Sequence, residues 1–191
     1  MASEPRPRVS VEEYLTLERQ AETKSEYLNG EIVAMSGASR PHNLIVANVL
    51  ASLHAQLRGR SCEVYASDMR VRVPAADLYT YPDVVVVCGE PQFDDAELDT
   101  LLNPTLTVEV LSPTTQSYDR GIKFAYYRTL PSLAEYLLLA QDRVHAEHSV
   151  RQGGAAWLLT ETDRSVDILE LPSIGCALAL GDAYERVVSA G

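Results

Sequence analysis

Two carboxylates stand where carboxylates are costly. Asp83 follows Pro82 and opens the run of valines in TYPDVVVVCGE, and Glu109 sits inside LTVEVLSP. A lone ionised carboxylate among buried strands is expensive unless it is paired, protonated or bound to a metal. If the two strands are neighbours, both acids can face the same side of one sheet. A hard divalent cation between them would then remove the penalty, since Mg²⁺ accepts one or two carboxylates and completes its shell with water and phosphate oxygens. Each acid also has a plainer role open to it. Asp83 can accept backbone hydrogen bonds at a strand end, and Glu109 can belong to a structural ion pair.

Other chemistry-bearing residues gather in sequence around this pair. Of the 16 basic residues only Lys24 and Lys123 are lysines. Lysine is a compact charge that can lose its proton when buried, which arginine cannot, so a lysine kept in so arginine-rich a chain is a candidate. Asp119 precedes Lys123 by four positions; on an exposed helix that pair would contribute only a few tenths of a kcal/mol. Glu31 follows Asn29-Gly30 and His42 heads a long helical pattern; an exposed hairpin position and a helix start are their simpler readings. Arg58, Arg60, Arg70 and Arg72 form a basic group that could contact phosphates. His145 and His148 share neither strand parity nor ligand spacing and are expected at the surface.

The elements that must position these residues follow from local patterns. SVEEYLTLE predicts a short helix, with Ser10 and Glu13 spaced as a capping box. KSEYLNGEIVAM predicts a hairpin about Asn29-Gly30. RPHNLIVANVLASLHAQLRG has helical apolar spacing that stops at Gly59. CEVYASDMRVRV alternates as one strand with a bulge between Ala66 and Met69, turning Arg70 and Arg72 away from the apolar row. YPDVVVVCG and TLTVEVLSP predict two further strands. SYDRGIKFAYYRTL predicts a helix ended by Pro131, LAEYLLLAQ a strand, and the remainder to about Leu171 an antiparallel meander. This order predicts an α/β (α+β) fold with a mixed central β-sheet flanked by helices.

The chain of 191 residues suits one domain, expected over residues 10–191 behind a flexible N-terminal stretch of residues 1–9. No apolar run approaches the roughly 20 residues that span a membrane, so a cytoplasmic protein without a membrane partner is expected. Cys62, Cys88 and Cys176 lack metal or redox spacing and are expected as small core residues. A net charge of −11 argues against a broad nucleic-acid footprint. EPQFDDAELD (residues 90–99) carries acids without a base and is expected as a solvated loop.

The stretches EYLNGEIVAMSG, PHNLIVANVLASL, YPDVVVV, VEVLSPTT, DRGIKFAYYRTL and LAEYLLL, in that order, resemble the Uma-two branch of restriction endonucleases within the PD-(D/E)XK nuclease superfamily. The resemblance spans roughly Ser10 to Asp142. It implies a restriction-endonuclease-like fold and metal-dependent hydrolysis of DNA phosphodiester bonds, with Mg²⁺ or Mn²⁺ held by Asp83 and Glu109. It places Glu31 and His42 near the site. The superfamily lysine belongs two residues after Glu109, where this chain has Leu111; Lys123, on the following helix, fits the displaced position. Arg70, Arg72 and Tyr127 become the candidate substrate contacts, double-stranded DNA the partner, and a homodimer the assembly. A nuclease fold that has lost cleavage and acts as a binding or regulatory protein is the alternative. A sugar hydrolase built on the same acid pair would want aromatic platforms, and the single tryptophan, Trp157, lies in the late meander.

Overall fold

The protein is described here by a computed structural model covering residues 8–187. Most of the expected stretch 1–9 lies outside the described residues. Of what is described, Val9 donates its N–H to the Gly30 carbonyl at 3.0 Å. The first helix, α1 (Val11–Glu18), begins on a complete capping box, Ser10 Oγ accepting from Glu13 N–H at 3.2 Å and Glu13 Oε2 from Ser10 N–H at 2.8 Å. Strands β1 (Ser25–Leu28) and β2 (Glu31–Ala34) form the hairpin. Its turn needs left-handed backbone at both central residues, which Asn29 (φ 47°) and Gly30 (φ 88°) supply.

Helix α2 (Arg40–Leu57) buries Ile45, Val49, Leu53 and Leu57, one residue per turn, as its spacing predicts. The strands that follow are β3 (Cys62–Ala66), β4 (Arg70–Val73), β5 (Leu78–Thr80), β6 (Val84–Cys88), β7 (Thr100–Leu101) and β8 (Leu106–Leu111). A helical segment comes next: α3 (Gln116–Tyr118), a π turn (Asp119–Lys123) and α4 (Phe124–Tyr127). The chain continues through β9 (Glu135–Ala140), β10 (Ala146–Gly153), β11 (Ala156–Thr162), β12 (Ile168–Leu171), β13 (Cys176–Ala179) and α5 (Leu180–Ala183).

These strands make a six-stranded sheet, β11-β10-β9-β8-β6-β3, a five-stranded sheet, β2-β1-β5-β4-β7, and the separate hairpin β12-β13. The first sheet is mixed, with β8 and β9 parallel and its other neighbours antiparallel. Its residues alternate between two cores. Val84, Val86, Leu106, Val108 and Val110 pack against α2, while Val85, Val87, Leu111, Tyr136 and Leu138 face Val71, Val73, Leu78 and Leu101 of the second sheet. Tyr14 and Leu15 of α1 close the far side of that second sheet over Tyr27 and Tyr79. The layers are therefore α2, six-stranded sheet, five-stranded sheet and α1.

Three expectations change. CEVYASDMRVRV is not one bulged strand. It turns after Ala66, whose carbonyl accepts from Met69 N–H at 3.1 Å, and passes from the first sheet (β3) to the second (β4). Local alternation reads the same on either side of such a crossing. Cys62 and Cys88 are not independent core residues but a disulfide across the β3–β6 register, with Cα atoms 4.0 Å apart. That pairing depends on which strands are neighbours, which spacing does not reveal. His148 is buried rather than on the surface, because β10 is an inner strand; its Nε2 lies 2.5 Å from Glu135 Oε2.

Candidate active site

Antiparallel pairing of β6 with β8 sets Val84 opposite Val108 and Val85 opposite Thr107. One residue further, the same register brings Asp83 alongside Glu109. Both have the parity of Val85, Thr107 and Leu111, so both belong to the side of the sheet that faces the second sheet. Asp83 reaches across the strand boundary: its Oδ2 accepts the Val110 N–H at 2.7 Å, while His42 Nε2 lies 2.9 Å from Oδ1. His42 is delivered by the first turn of α2, where Ser39 Oγ accepts its backbone N–H at 3.2 Å.

Lys123 is the hub. Its Nζ lies 2.9 Å from Glu109 Oε1, 3.4 Å from Glu26 Oε1 and 3.8 Å from Asp119 Oδ1. The π turn supplies Asp119 and Lys123 together, and both side chains are buried, so they are no exposed surface pair. Such turns recur at functional sites because they re-aim side chains within a helix. Tyr127 is fully buried one turn later and donates its hydroxyl to Glu109 Oε1 at 3.0 Å. Tyr136 donates to the Asp119 carbonyl at 3.1 Å. From the second sheet Glu26 enters on β1, accepting the hydroxyl of Thr80 on β5.

Three carboxylates, Glu109, Glu26 and Asp119, thus surround one ammonium, with Asp83 beside Glu109, and the ionisation follows. Burial pushes the Glu109 carboxyl well above the usual carboxylate range; Lys123 opposes the rise, and Asp119 and Asp83 add to it. Asp119 is raised for the same first reason, burial, which Lys123 offsets only in part. Burial works against the Lys123 charge, but Glu109, Glu26 and Asp119 outweigh it and hold the ammonium pKa well above the ordinary lysine value. The neighbouring acids favour the charged form of Lys123, and burial favours the protonated form of Glu109 and Asp119.

The remaining candidates fall elsewhere. Glu31 is exposed at the head of the edge strand β2 and lines an open cleft of about 550 Å³ with Asn29, Asp77 and Tyr126. Arg70 and Arg72 do not reach the acid pair. Arg70 is buried, its Nη2 2.7 Å from Asp99 Oδ2, and donates to Thr100 Oγ1 and Tyr81 Oη, both at 3.0 Å. Arg72 pairs with Asp94. Arg60 donates to the Ile174 and Gly175 carbonyls at 2.7 and 3.0 Å. The acidic stretch is accordingly more than a solvated loop: Arg19 also holds it, at 2.6 Å to Asp95 and 2.9 Å to Asp99. Tyr127 touches Glu109 from inside the core rather than offering a surface to substrate.

Sequence reasoning missed Glu26. The hairpin announces two arms but not which is inner. β1 lies between β2 and β5, so the glutamate before the turn is the interior one. The available signal was parity, since Glu26 alternates with Tyr27 and shares its face with Leu28, which packs into the core between the sheets.

A mixed sheet carrying acids on adjacent strands, with a lysine from a neighbouring helix, has the architecture of a nuclease fold. A crystal structure from Anabaena variabilis ATCC 29413, described as "a putative nuclease belonging to DUF820", matches it with a TM-score of 0.74 over 94% of this chain and 99% of that one. At 18% identity this is a likeness of fold. The chain belongs to the Uma2 family, described as "Putative restriction endonuclease", whose profile matches residues 11–181. Two relatives from Synechocystis sp. (strain ATCC 27184 / PCC 6803 / Kazusa) carry the names uncharacterized protein sll1609 and uncharacterized protein slr1290. The first is 42% identical over 149 residues, 78% of this chain and 84% of its own. The second is 38% identical over 182 residues, 95% of this chain and 94% of its own.

Proposed function

We propose that the protein is a Mg²⁺- or Mn²⁺-dependent endonuclease that hydrolyses phosphodiester bonds of double-stranded DNA, working in the cytoplasm as a homodimer of single-domain chains. The observation that carries this reading is the charge balance of the buried cluster. Glu109, Asp119 and Glu26 gather around one counter-charge, Lys123, with Asp83 beside Glu109. Among the described residues no three His, Cys, Asp or Glu side chains form a ready metal cage. The donor chemistry nonetheless fits: carboxylate oxygens in excess suit a hard dication that brings its own water.

Asp83 and Glu109 are the residues that would hold the ion. When bound, it supplies a Lewis acid and a water acidic enough to act near neutral pH. The chain's own groups do the positioning. His42 and the Val110 amide orient Asp83; Tyr127 orients Glu109; Glu26 steadies Lys123 from the opposite sheet. Lys123, kept charged by its neighbours, sets a fixed positive charge where a phosphate gains negative charge.

One observation favours a binding or regulatory protein without cleavage: Leu111 stands two residues after Glu109, where the superfamily places its lysine. Incubating supercoiled plasmid with the protein in Mg²⁺, Mn²⁺ or chelator separates the readings when Mn²⁺ binding is measured alongside. The nuclease reading expects nicking that needs metal and falls at least a hundredfold in Asp83→Asn. Mn²⁺ binding without cleavage would favour the binding protein. Neither binding nor cleavage overturns the proposal.

A further inference from the structure

Among the described residues, strand β11 ends the six-stranded sheet with one edge unpaired. It runs for seven residues, AWLLTET, without proline or lysine. Leu158 and Leu159 are each 52% exposed, on opposite faces of the strand. A long edge with exposed leucines is a template for another strand, and folded proteins usually blunt such edges with charge, proline or a cover. The opposite edge, β3, is shorter and tied to β6 by its disulfide.

Its charges say what kind of strand fits. Glu161 stands directly opposite Glu147, a like-charged pair, and Arg151 directly opposite Trp157. The Arg151 guanidinium lies 4.5 Å from the Trp157 ring centre and donates to the Leu133, Arg128 and Leu130 carbonyls. Among the described residues neither Arg151 nor Glu161 has an ion-pair partner of opposite charge. A two-fold axis perpendicular to the sheet pairs residues of equal parity. Centred on Leu159, it sets Leu159 against its own copy, Leu158 against Thr160, and Trp157 against Glu161. Glu161 of one chain then sits two strands, about 10 Å in backbone spacing, from Arg151 of the other, within reach of two long side chains across the Trp157 ring.

We infer that β11 is the dimer interface, two copies pairing antiparallel about Leu159 into a continuous twelve-stranded sheet. This deepens the homodimer part of the proposed function, and its test reads association alone, so it stands or falls apart from cleavage. The contact is self-complementary, as a two-fold interface requires.

The test is sedimentation and light scattering of the full chain, with site-specific cross-linking. Wild type is expected to dimerise at micromolar concentration. Leu159→Lys and Glu161→Lys, both changing exposed side chains, should each weaken association at least tenfold with an unchanged melting temperature. Leu159→Cys should oxidise to a covalent dimer, because directly opposed residues bring their Cβ atoms to about 5 Å. Leu158→Cys, opposed by Thr160, should not. A monomeric wild type, a dimer indifferent to both lysine variants, or equal cross-linking from both cysteines would overturn the inference.

Discussion

Two charged clusters among the described residues differ in their balance of charge. Around Lys123, carboxylates outnumber the cation, and burial drives Glu109 and Asp119 towards the protonated form. Around Asp99, arginines converge on the acid: Arg19 and Arg70 hold its carboxyl below the usual aspartate range, against a smaller rise from burial. Both clusters are ion-pair networks, and both join sequence-distant elements. The second is satisfied and stabilises the connection between α1, β4 and the acidic loop. The first is left wanting positive charge at the meeting of two sheets and a π turn. That surplus of acid is what the proposed metal-holding role of Asp83 and Glu109 rests on.

Removing the one cation of the first cluster should break the comparison most severely. Lys123→Met leaves three carboxylates buried without a counter-charge, and losing one partner of a buried pair costs about 3–5 kcal/mol. The loss, measured by urea denaturation, should be large at pH 8 and shrink towards pH 5 as the acids take up protons. A pH-independent loss would mean that Lys123 matters only for packing.

Asp99→Asn is the matching cut in the satisfied cluster. It takes the carboxylate from buried Arg70, but Asp99 is about one-third exposed and Tyr81 and Thr100 remain as partners, so a loss of about 1–3 kcal/mol is expected. The sign with pH follows from the depressed pKa. The wild-type contribution is present above the ordinary aspartate value near 4 and is lost as pH falls below it. Denaturation between pH 2 and 6 should show a flatter acid limb in the variant.

Glu109→Gln should respond in the opposite sense. A raised carboxyl pKa means that the wild-type stabilisation is greatest below the ordinary glutamate value near 4.3 and is lost as pH rises through the higher folded value. Without metal the variant should therefore equal or exceed wild type at pH 8, with less decline between pH 5 and 8. Added Mn²⁺ should raise the melting temperature of wild type but not of the variant. Greater instability of Glu109→Gln at pH 8 would place Glu109 in the same balanced class as Asp99.

The smallest expected effect sharpens the boundary of the cluster. Glu31→Gln, on an exposed edge strand, should change stability by less than about 0.5 kcal/mol and leave activity intact. Glu26→Gln, five residues earlier but facing Lys123, should reduce plasmid nicking without changing Mn²⁺ affinity by more than a few fold. Reversal of these two outcomes in a nicking assay would return Glu31 to the site.

Much of this was legible because it is local. Capping atoms at Ser10 and Glu13, the Asn29-Gly30 turn and the four-residue apolar spacing of α2 each act within a few positions, and each element formed as read. The suspicion attached to Asp83, Glu109 and Lys123 also rested on local cost, a charge amid valines or a lone lysine among arginines. What was not legible depended on neighbours in space. The turn at Ala66 and Met69 looks like a bulge until the chain is seen to change sheets, and with that change Arg70 and Arg72 turn to the acidic loop.

The sequence by itself determined which residues carry alternating faces and which charges would be expensive to bury, because side-chain period and desolvation are properties of a segment. Only the tertiary structure decided who meets whom. It made β1 rather than β2 the inner arm, so that Glu26 and not Glu31 faces Lys123. It set Cys62 against Cys88, and it used a π turn to bring Asp119 and Lys123 inward together. Those outcomes rest on strand order and register, in which one position or one neighbour exchanges the buried face for the exposed one.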